Sequence, residues 1–287
     1  MPTVDVLPRL TPAATLALVG TVLVDTGGGI ADNVARVERF LAGRPVELIA
    51  LTHPHLDHAG GAAALRDRLG APIAMHAADV TTLERDAERL RQPLQPFAVD
   101  RLLADGDVLP GGIEVIATPS QTPGHTAFWV PDARTVLTGD LLQRDDVAWL
   151  PLGDEVLDAS IASIDRLARL GAQRGVPGHG PEVHDVPAAA AATIARYEQW
   201  RVRPDRQAWH AGRRITAGRI ALDDPTPARA AAVDLVAGIP ILAEYATAVD
   251  LSPRAFAEQL VQQLLESGAF AERDGRLAIR FPCERVG

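Results

Sequence analysis

No lysine occurs among the 287 residues, so all 28 cationic side chains are arginine, which reads first as a compositional bias of the source. A Schiff-base or other catalytic lysine is thereby excluded. The single cysteine, Cys283, excludes an internal disulfide and fits a reducing compartment. Aromatic residues make up only 4%, with two tyrosines, Tyr197 and Tyr245. No stretch approaches the roughly 20 apolar residues of a membrane-spanning helix. Positive charge is also in deficit: a formal net charge of −9 argues against the basic footprint of a nucleic-acid surface. Pro12 to Asp25 is apolar, yet it lacks a basic start and a small-residue cleavage site, and Gly20 interrupts it. It reads as a hairpin, and the chain as cytoplasmic, with no membrane and no nucleic acid among its partners.

What is present is chemistry at strand ends. The chain is long enough to bury a substantial core, and 47% hydrophobic content with modest charge marks it as globular. The run Thr52-His53-Pro54-His55-Leu56-Asp57-His58-Ala59-Gly60-Gly61 puts three imidazoles and a carboxylate in six residues, directly after the apolar strand-like run Val46 to Leu51. Imidazole nitrogen and carboxylate oxygen are ligands of a borderline cation such as zinc. In an extended chain His53 and His55 point to one side, while Asp57 and His58 fall where strand becomes helix and can address a second ion. Gly60 and Gly61 then allow a tight turn. Three later segments carry partners: the loop Thr118 to Thr126 with His125, the strand Val136 to Asp140 ending in a carboxylate, and the turn Val176 to Gly180 with His179. Loops at strand ends are where a rigid scaffold presents chemistry. His76, His184 and His210 have no such context and read as packed or surface residues.

The ordered set Asp25, His53-x-His55-x-Asp57-His58, His125, Asp140 and His179 resembles the signature of the metallo-β-lactamase-fold hydrolases, in their glyoxalase II-like, dinuclear branch. The resemblance covers about the first two-thirds of the chain. It implies one ion held by His53, His55 and His125, a second by Asp57, His58 and His179, and Asp140 bridging them. Asp25 would hold ligands in place through hydrogen bonds. Two zinc ions are implied, with iron or manganese as alternatives. The implied reaction is hydrolysis: a water shared by the ions, its pKa lowered, attacks the carbonyl of a small-molecule acyl substrate, and Asp57 orients that water or shuttles its proton.

Within that family the residues lean toward a thioester or ester. True β-lactamases of the fold as a rule lack an aspartate at the place of Asp140, and the acyl-homoserine-lactone lactonases, the alternative, typically carry a tyrosine between the motifs of Asp140 and His179, where this chain has none. A mononuclear iron persulfide dioxygenase, and a regulatory protein that binds metal without catalysis, are the rivals from other classes. Gln143, Arg144 and Trp149, which follow Asp140, are expected to line the substrate pocket.

Periodicity predicts an α+β chain: an αββα sandwich of two mixed β-sheets flanked by helices over residues 1–195, then a small, mainly helical domain over 196–287. Helices are predicted over Ile30 to Ala42, Ala59 to Leu69 and Ala159 to Leu170, with a charged helical stretch over Ala77 to Ala98. Strands are predicted over Ala14 to Val19, Val22 to Asp25, Ala71 to Met75, Val108 to Ala117, Ala127 to Pro131 and Arg134 to Thr138. Beyond Arg196 the helical stretches Ala228 to Ala237, Ile241 to Ala248 and Arg254 to Ser267, closed by an Asp274-Gly275 hairpin, resemble a winged-helix module, read here as an interaction or pocket-closing unit. Seven arginines between Arg196 and Arg219, interleaved with Trp200 and Trp209, offer an anion handle. The favoured reading of that segment is a solvated linker helix or a homodimer surface.

Overall fold

A computed structural model of the chain describes residues 3–8, 14–28, 31–223 and 226–280. Ile30, the expected start of the first helix, and Cys283 lie outside the described residues. Six strands form the first sheet in sequential order: β1 (Val4–Leu7), β2 (Leu16–Val19), β3 (Val22–Val24), β4 (Leu48–Ala50), β5 (Ile73–His76) and β6 (Arg101–Leu103). β1 to β3 are antiparallel neighbours, and β3 to β6 run parallel. The second sheet, β7 (Val108–Leu109), β8 (Ile113–Ala117), β9 (Thr126–Val130), β10 (Thr135–Gly139) and β11 (Arg174–Pro177), is antiparallel except for the β10–β11 pair. Alternation along the strands sorts residues to two faces. Ala17, Val19, Val22 and Val24 of the first sheet meet Val115, Phe128, Val130 and Leu137 of the second in the central core. Leu16, Leu18, Leu23 and Ile49 turn outward onto α1 (Ala31–Leu41) and, past the short α2 (Leu56–Ala59), onto α3 (Ala62–Leu69). On the other side Ala127, Trp129 and Val136 pack against α6 (Asp154–Ala168) and α7 (Val186–Val202). The expected sandwich of two mixed sheets between helix layers is therefore observed.

The charged stretch departs from expectation. Ala77 to Ala98 is not one helix: α4 (Ala77–Val80) and α5 (Leu83–Leu90) are short, and α5 ends at Arg91 in the left-handed region (φ 49°). Pro93 and Pro96 then exclude further helix. Leu90 is buried among residues of the C-terminal core, and Arg89 pairs with Glu244, so this segment joins the two halves of the molecule.

α7 runs through the expected boundary at 195/196 and is followed by α8 (Pro204–Ala221), α9 (Arg229–Ala237), α10 (Pro240–Ala248), α11 (Pro253–Glu266) and the hairpin β12 (Phe270–Arg273) and β13 (Arg276–Ile279). Ser252 caps α11 by accepting from the Ala255 N–H at 3.2 Å. These elements close a core around Tyr245, Phe256, Leu260 and Phe270. Their polar side chains fasten the loop after Asp140. Tyr245 donates to the Leu150 carbonyl (2.8 Å), Gln207 to the Leu150 and Pro151 carbonyls (3.2 and 2.9 Å), and His210 Nε2 lies 3.0 Å from the Val147 carbonyl. A buried carbonyl left without a donor costs about 1–3 kcal/mol, so this loop takes its shape from the C-terminal unit.

Candidate metal centre

The ends of β3, β4, β8, β10 and β11 converge at one edge of the sandwich. Asp25 follows β3 in the left-handed region (φ 61°), a conformation aspartate tolerates better than most residues. There its carboxylate accepts from the Thr52 N–H (2.8 Å) and the Thr52 hydroxyl (2.9 Å) and lies 2.8 Å from His58 Nδ1. Gly60 and Gly61 serve a different purpose from the tight turn expected of them. Gly61 has φ −84°, and a Cβ there would lie 2.5 Å from the Thr26 carbonyl, while one on Gly60 would lie 2.4 Å from the Leu56 carbonyl and 2.7 Å from Gly28. They let the start of α3 sit directly on the loop that carries Asp25. Gly139, at φ 52°, is likewise constrained: a Cβ would lie 2.6 Å from His125 Nε2.

The expected ligand residues come together. His179 Nε2 lies 3.0 Å from Asp57 Oδ2 and 3.2 Å from Asp140 Oδ1, and His58 Nε2 lies 3.1 Å from that same oxygen. Two sets have donor atoms that all lie within 4.8 Å of one another: Asp57, His58 and His179, and His53, His58 and Asp140. His58 Nε2 and Asp140 Oδ1 are buried without a hydrogen-bond partner, which is what a cation between them would satisfy. His55 and His125 belong to neither set, although both are buried beside it. The donor set of imidazole and carboxylate fits one or two divalent ions of the zinc or iron kind.

Three of the rings are held from behind. His58 Nδ1 faces Asp25, His53 Nδ1 lies 3.0 Å from the Thr52 hydroxyl, and His125 Nδ1 lies 2.9 Å from the Thr118 hydroxyl, so each Nε2 is the nitrogen turned to the centre. Burial pushes the pKa values of His53, His55 and His125 down, that of His125 to about 3, so these imidazoles are neutral at pH 7 with lone pairs available. Burial also opposes charge on His58, but Asp140, Asp25 and Asp57 outweigh it and raise its pKa well above the ordinary value. The centre therefore attracts positive charge.

Two residues without a spacing signal complete the site. Gln121 Nε2 lies 2.9 Å from His53 Nε2, 3.0 Å from His55 Nδ1 and 3.2 Å from Asp140 Oδ2, at the point where those three acceptors converge. An amide has two N–H groups for three acceptors, and Gln121 Oε1 is buried with no partner. A metal at this point must displace the amide. Gln121→Ala is therefore expected to tighten binding of the more weakly held ion by roughly tenfold, with equilibrium dialysis against zinc as the measurement. Unchanged affinity would show that the amide does not compete.

The other is Asp79, wholly buried, which accepts from the Thr122 hydroxyl (2.8 Å) and the Gly124 N–H (2.6 Å) and so fixes the loop that delivers His125. Burial outweighs those hydrogen bonds and raises its pKa to about 7. An acid whose folded pKa exceeds its unfolded value stabilises the fold fully below the unfolded pKa and loses that contribution as pH rises through the folded one. Measured against Asp79→Asn in urea unfolding, the native chain should be about 2–3 kcal/mol more stable at pH 5 than at pH 8, other titrations cancelling in the difference. A pH-independent difference would refute the assignment.

The centre opens into a cavity of about 530 Å³. Trp149 lines it, stacked on His55 at 5.1 Å and 24°. Gln143 and Arg144 do not. The Thr138 hydroxyl donates to the Leu142 carbonyl (2.8 Å), closing a turn that leaves Gln143 buried and donating to the Asp140 carbonyl (3.2 Å), while exposed Arg144 pairs with Asp145. The opposite wall is built from α8 and α11, including Arg213, Ile215, Arg219 and Leu264. The arginine-rich segment is thus part of the pocket rather than only a solvated linker, and the C-terminal unit closes it. His76 caps α4, accepting from the Ala78 N–H at 3.2 Å, and His184 is exposed, but His210 also lines the cavity.

Comparison with known proteins agrees with this geometry. The family model of the metallo-beta-lactamase superfamily matches residues 18–179, more than half of the chain. The chain belongs to that superfamily. A hydroxyacylglutathione hydrolase of Brucella anthropi is 34% identical over 117 residues, 39% of this chain and 40% of that protein. A Beta-lactamase-like protein 2 homolog of Caenorhabditis elegans is 26% identical over 65% of this chain and 59% of its own length. The chain thus spans only about two-fifths to three-fifths of these curated relatives. Among solved structures, a metallo-beta-lactamase family protein of Thermus thermophilus superposes with a TM-score of 0.56 at 23% identity, covering 97% of this chain and 98% of the other, so the likeness of fold includes the C-terminal helices. TTHA1623, in a di-iron-bound form, has a TM-score of 0.55 at 32% identity over 67% of this chain and 98% of that one.

Proposed function

We propose that the chain is a metal-dependent hydrolase of a small-molecule thioester or ester. The observation that carries this reading is the convergence of Asp57, His58, His179 and Asp140 at the floor of a cavity of about 530 Å³ into which Asp57 opens, its side chain 29% exposed. These residues, with His53, His55 and His125, would hold divalent metal, which when bound would supply an acidified water and a Lewis acid for the substrate carbonyl. The rest falls to the protein. Burial works against charge on Asp57, but His58 and His179 outweigh it and bring its pKa to about 2, so it is an ionised acceptor at the cavity floor, placed to orient the attacking water. Trp149, Leu90, Ile215 and Leu264 give the acyl group an apolar wall.

Two features support a thioester over a lactone. Both tyrosines are fully buried, with hydroxyls on the Ala148 and Leu150 carbonyls, so neither serves the centre. A thiolate leaves without protonation, which suits a cavity whose remaining histidine, His210, is engaged with the Val147 carbonyl. The name of the hydroxyacylglutathione hydrolase relatives points to the same bond. Zinc is our choice of metal, and the di-iron form of TTHA1623 makes iron the second reading.

The test is elemental analysis of the purified protein together with hydrolysis of thioesters, lactones, phosphodiesters and a β-lactam, with His179→Ala alongside. About two metal ions per chain, and thioester turnover lost in the variant, are expected. Full metal with a silent panel would overturn the hydrolase, and one iron with oxygen uptake would replace it with an oxygenase.

A further inference from the structure

Seven arginines lie between Arg196 and Arg219, and they divide cleanly. Four have carboxylate partners: Arg201 with Asp158 and Glu198, Arg203 with Asp205, Arg214 with Asp146, and Arg219 with Asp223. The other three, Arg196, Arg206 and Arg213, form no ion pair among the described residues; Arg213 has only the neutral amide of Gln263, at 3.1 Å. These same three arginines line a second cavity, of about 390 Å³, beside Trp200 and Trp209. Arg196, Arg213 and His210 also line the metal cavity, so the two spaces share a wall. Surface arginines of this chain commonly find a carboxylate, because acidic residues outnumber basic ones 37 to 28. Three line one cavity without such an ion pair, Arg206 and Arg213 two turns apart on α8 and Arg196 on α7. Burial depresses the pKa of half-buried Arg213; the Asp146 carboxylate, near it but not ion-paired with it, works against that, and the neighbouring Arg196 adds to the depression.

We infer that Arg196, Arg206 and Arg213 form a subsite for an anionic group, phosphate or carboxylate, at the end of a substrate whose other end reaches the metal centre. Guanidinium groups bind both anions through paired N–H donors, and indoles beside them provide an apolar flank for the linking atoms. Combined with the hydrolase reading, on which this part rests, the substrate class becomes an acyl thioester or ester with an anionic leaving portion.

Binding is tested apart from turnover, using the metal-loaded full chain and two probes with neither thiol nor acyl bond: adenosine 3′,5′-bisphosphate for phosphate and S-methylglutathione for carboxylate. Calorimetric titration, checked by tryptophan fluorescence, should show one probe binding, weakening with salt and losing roughly tenfold in affinity in each of Arg196→Ala, Arg206→Ala and Arg213→Ala. The ion-paired control Arg203→Ala should bind like the native chain. The stronger probe names the anion. Failure of both probes, or affinities indifferent to the three substitutions, would overturn the subsite. So would tighter, arginine-dependent binding of a single-stranded RNA 12-mer, which would assign the groove to nucleic acid. If the probes bind as expected while no thioester or ester is hydrolysed, the subsite stands and the hydrolase reading fails. If both stand, the three substitutions should raise KM for an anionic thioester at least tenfold more than for the N-acetylcysteamine thioester of the same acyl group.

Discussion

Asparagine in place of Asp140 is expected to lower the proposed thioester hydrolysis by roughly 10³-fold and to cut the metal bound per chain by about half or more. The carboxylate stands between the two halves of the centre: Oδ1 faces His58 and His179 at 3.1 and 3.2 Å, and Oδ2 faces Gln121 at 3.2 Å on the side of His53 and His55. The substitution preserves shape, so loss through misfolding is not the expected route. It replaces one anionic oxygen by an N–H₂ aimed either at imidazole lone pairs or at the His53 side, and it removes a buried negative charge that both halves share. A loss of roughly 10³-fold corresponds to about 4 kcal/mol, within the range for removing a group that acts on developing charge. Elemental analysis and kcat/KM on the same preparation check it, with the thermal midpoint as control for folding. Normal metal content with normal turnover would mean that Asp140 is not shared by the two halves.

The parts of this site legible in the sequence are those whose partners are close along the chain or sit at strand ends. His53, His55, Asp57 and His58 fall within six residues, and β4 and α2 place them as the alternation of strand and helix requires. Asp140 and His179 follow directly on the apolar strands β10 and β11, and His125 ends the loop between β8 and β9. Asp79 and Gln121 carry no such signal. Asp79 acts only because β5 and α4 lay it against a loop 43 residues later, and Gln121 matters only because its amide meets ligands 66 and 68 positions earlier. The arginine segment is illegible for a related reason. Arg201, Arg203 and Arg219 have acids within four residues, but Arg214 is neutralised by Asp146, far from it in sequence, and which arginines line the metal cavity depends on how α7 and α8 pack. Gln143 and Arg144 lie outside the cavity lining because proximity to Asp140 in sequence says nothing of the turn that Thr138 closes.

Asp25→Asn should weaken metal binding by about 10–100-fold while leaving the fold intact, and the reason is a tautomer. An asparagine at this position would still tolerate the left-handed backbone at φ 61°, and its single oxygen can still accept the Thr52 N–H now 2.8 Å from Oδ1. Its NH₂ must then take the place of Oδ2, 2.8 Å from His58 Nδ1. A donor there requires Nδ1 to be an acceptor, which moves the ring proton to Nε2, the nitrogen that faces Asp140 and Asp57. The ligand lone pair is lost without any change in position. Asp25→Ala separates this effect from simple loss of support: it leaves the Thr52 N–H and the His58 ring without a buried partner and should cost about 3–5 kcal/mol of stability as well. Chelator competition gives the metal affinity, urea unfolding the stability, and nitrogen chemical shifts of His58 the tautomer. An asparagine variant with native affinity and the proton still on Nδ1 would show that Asp25 only packs. Weak binding with the proton moved to Nε2, in a chain of native stability, would show that this carboxylate acts by choosing which nitrogen His58 offers to the metal.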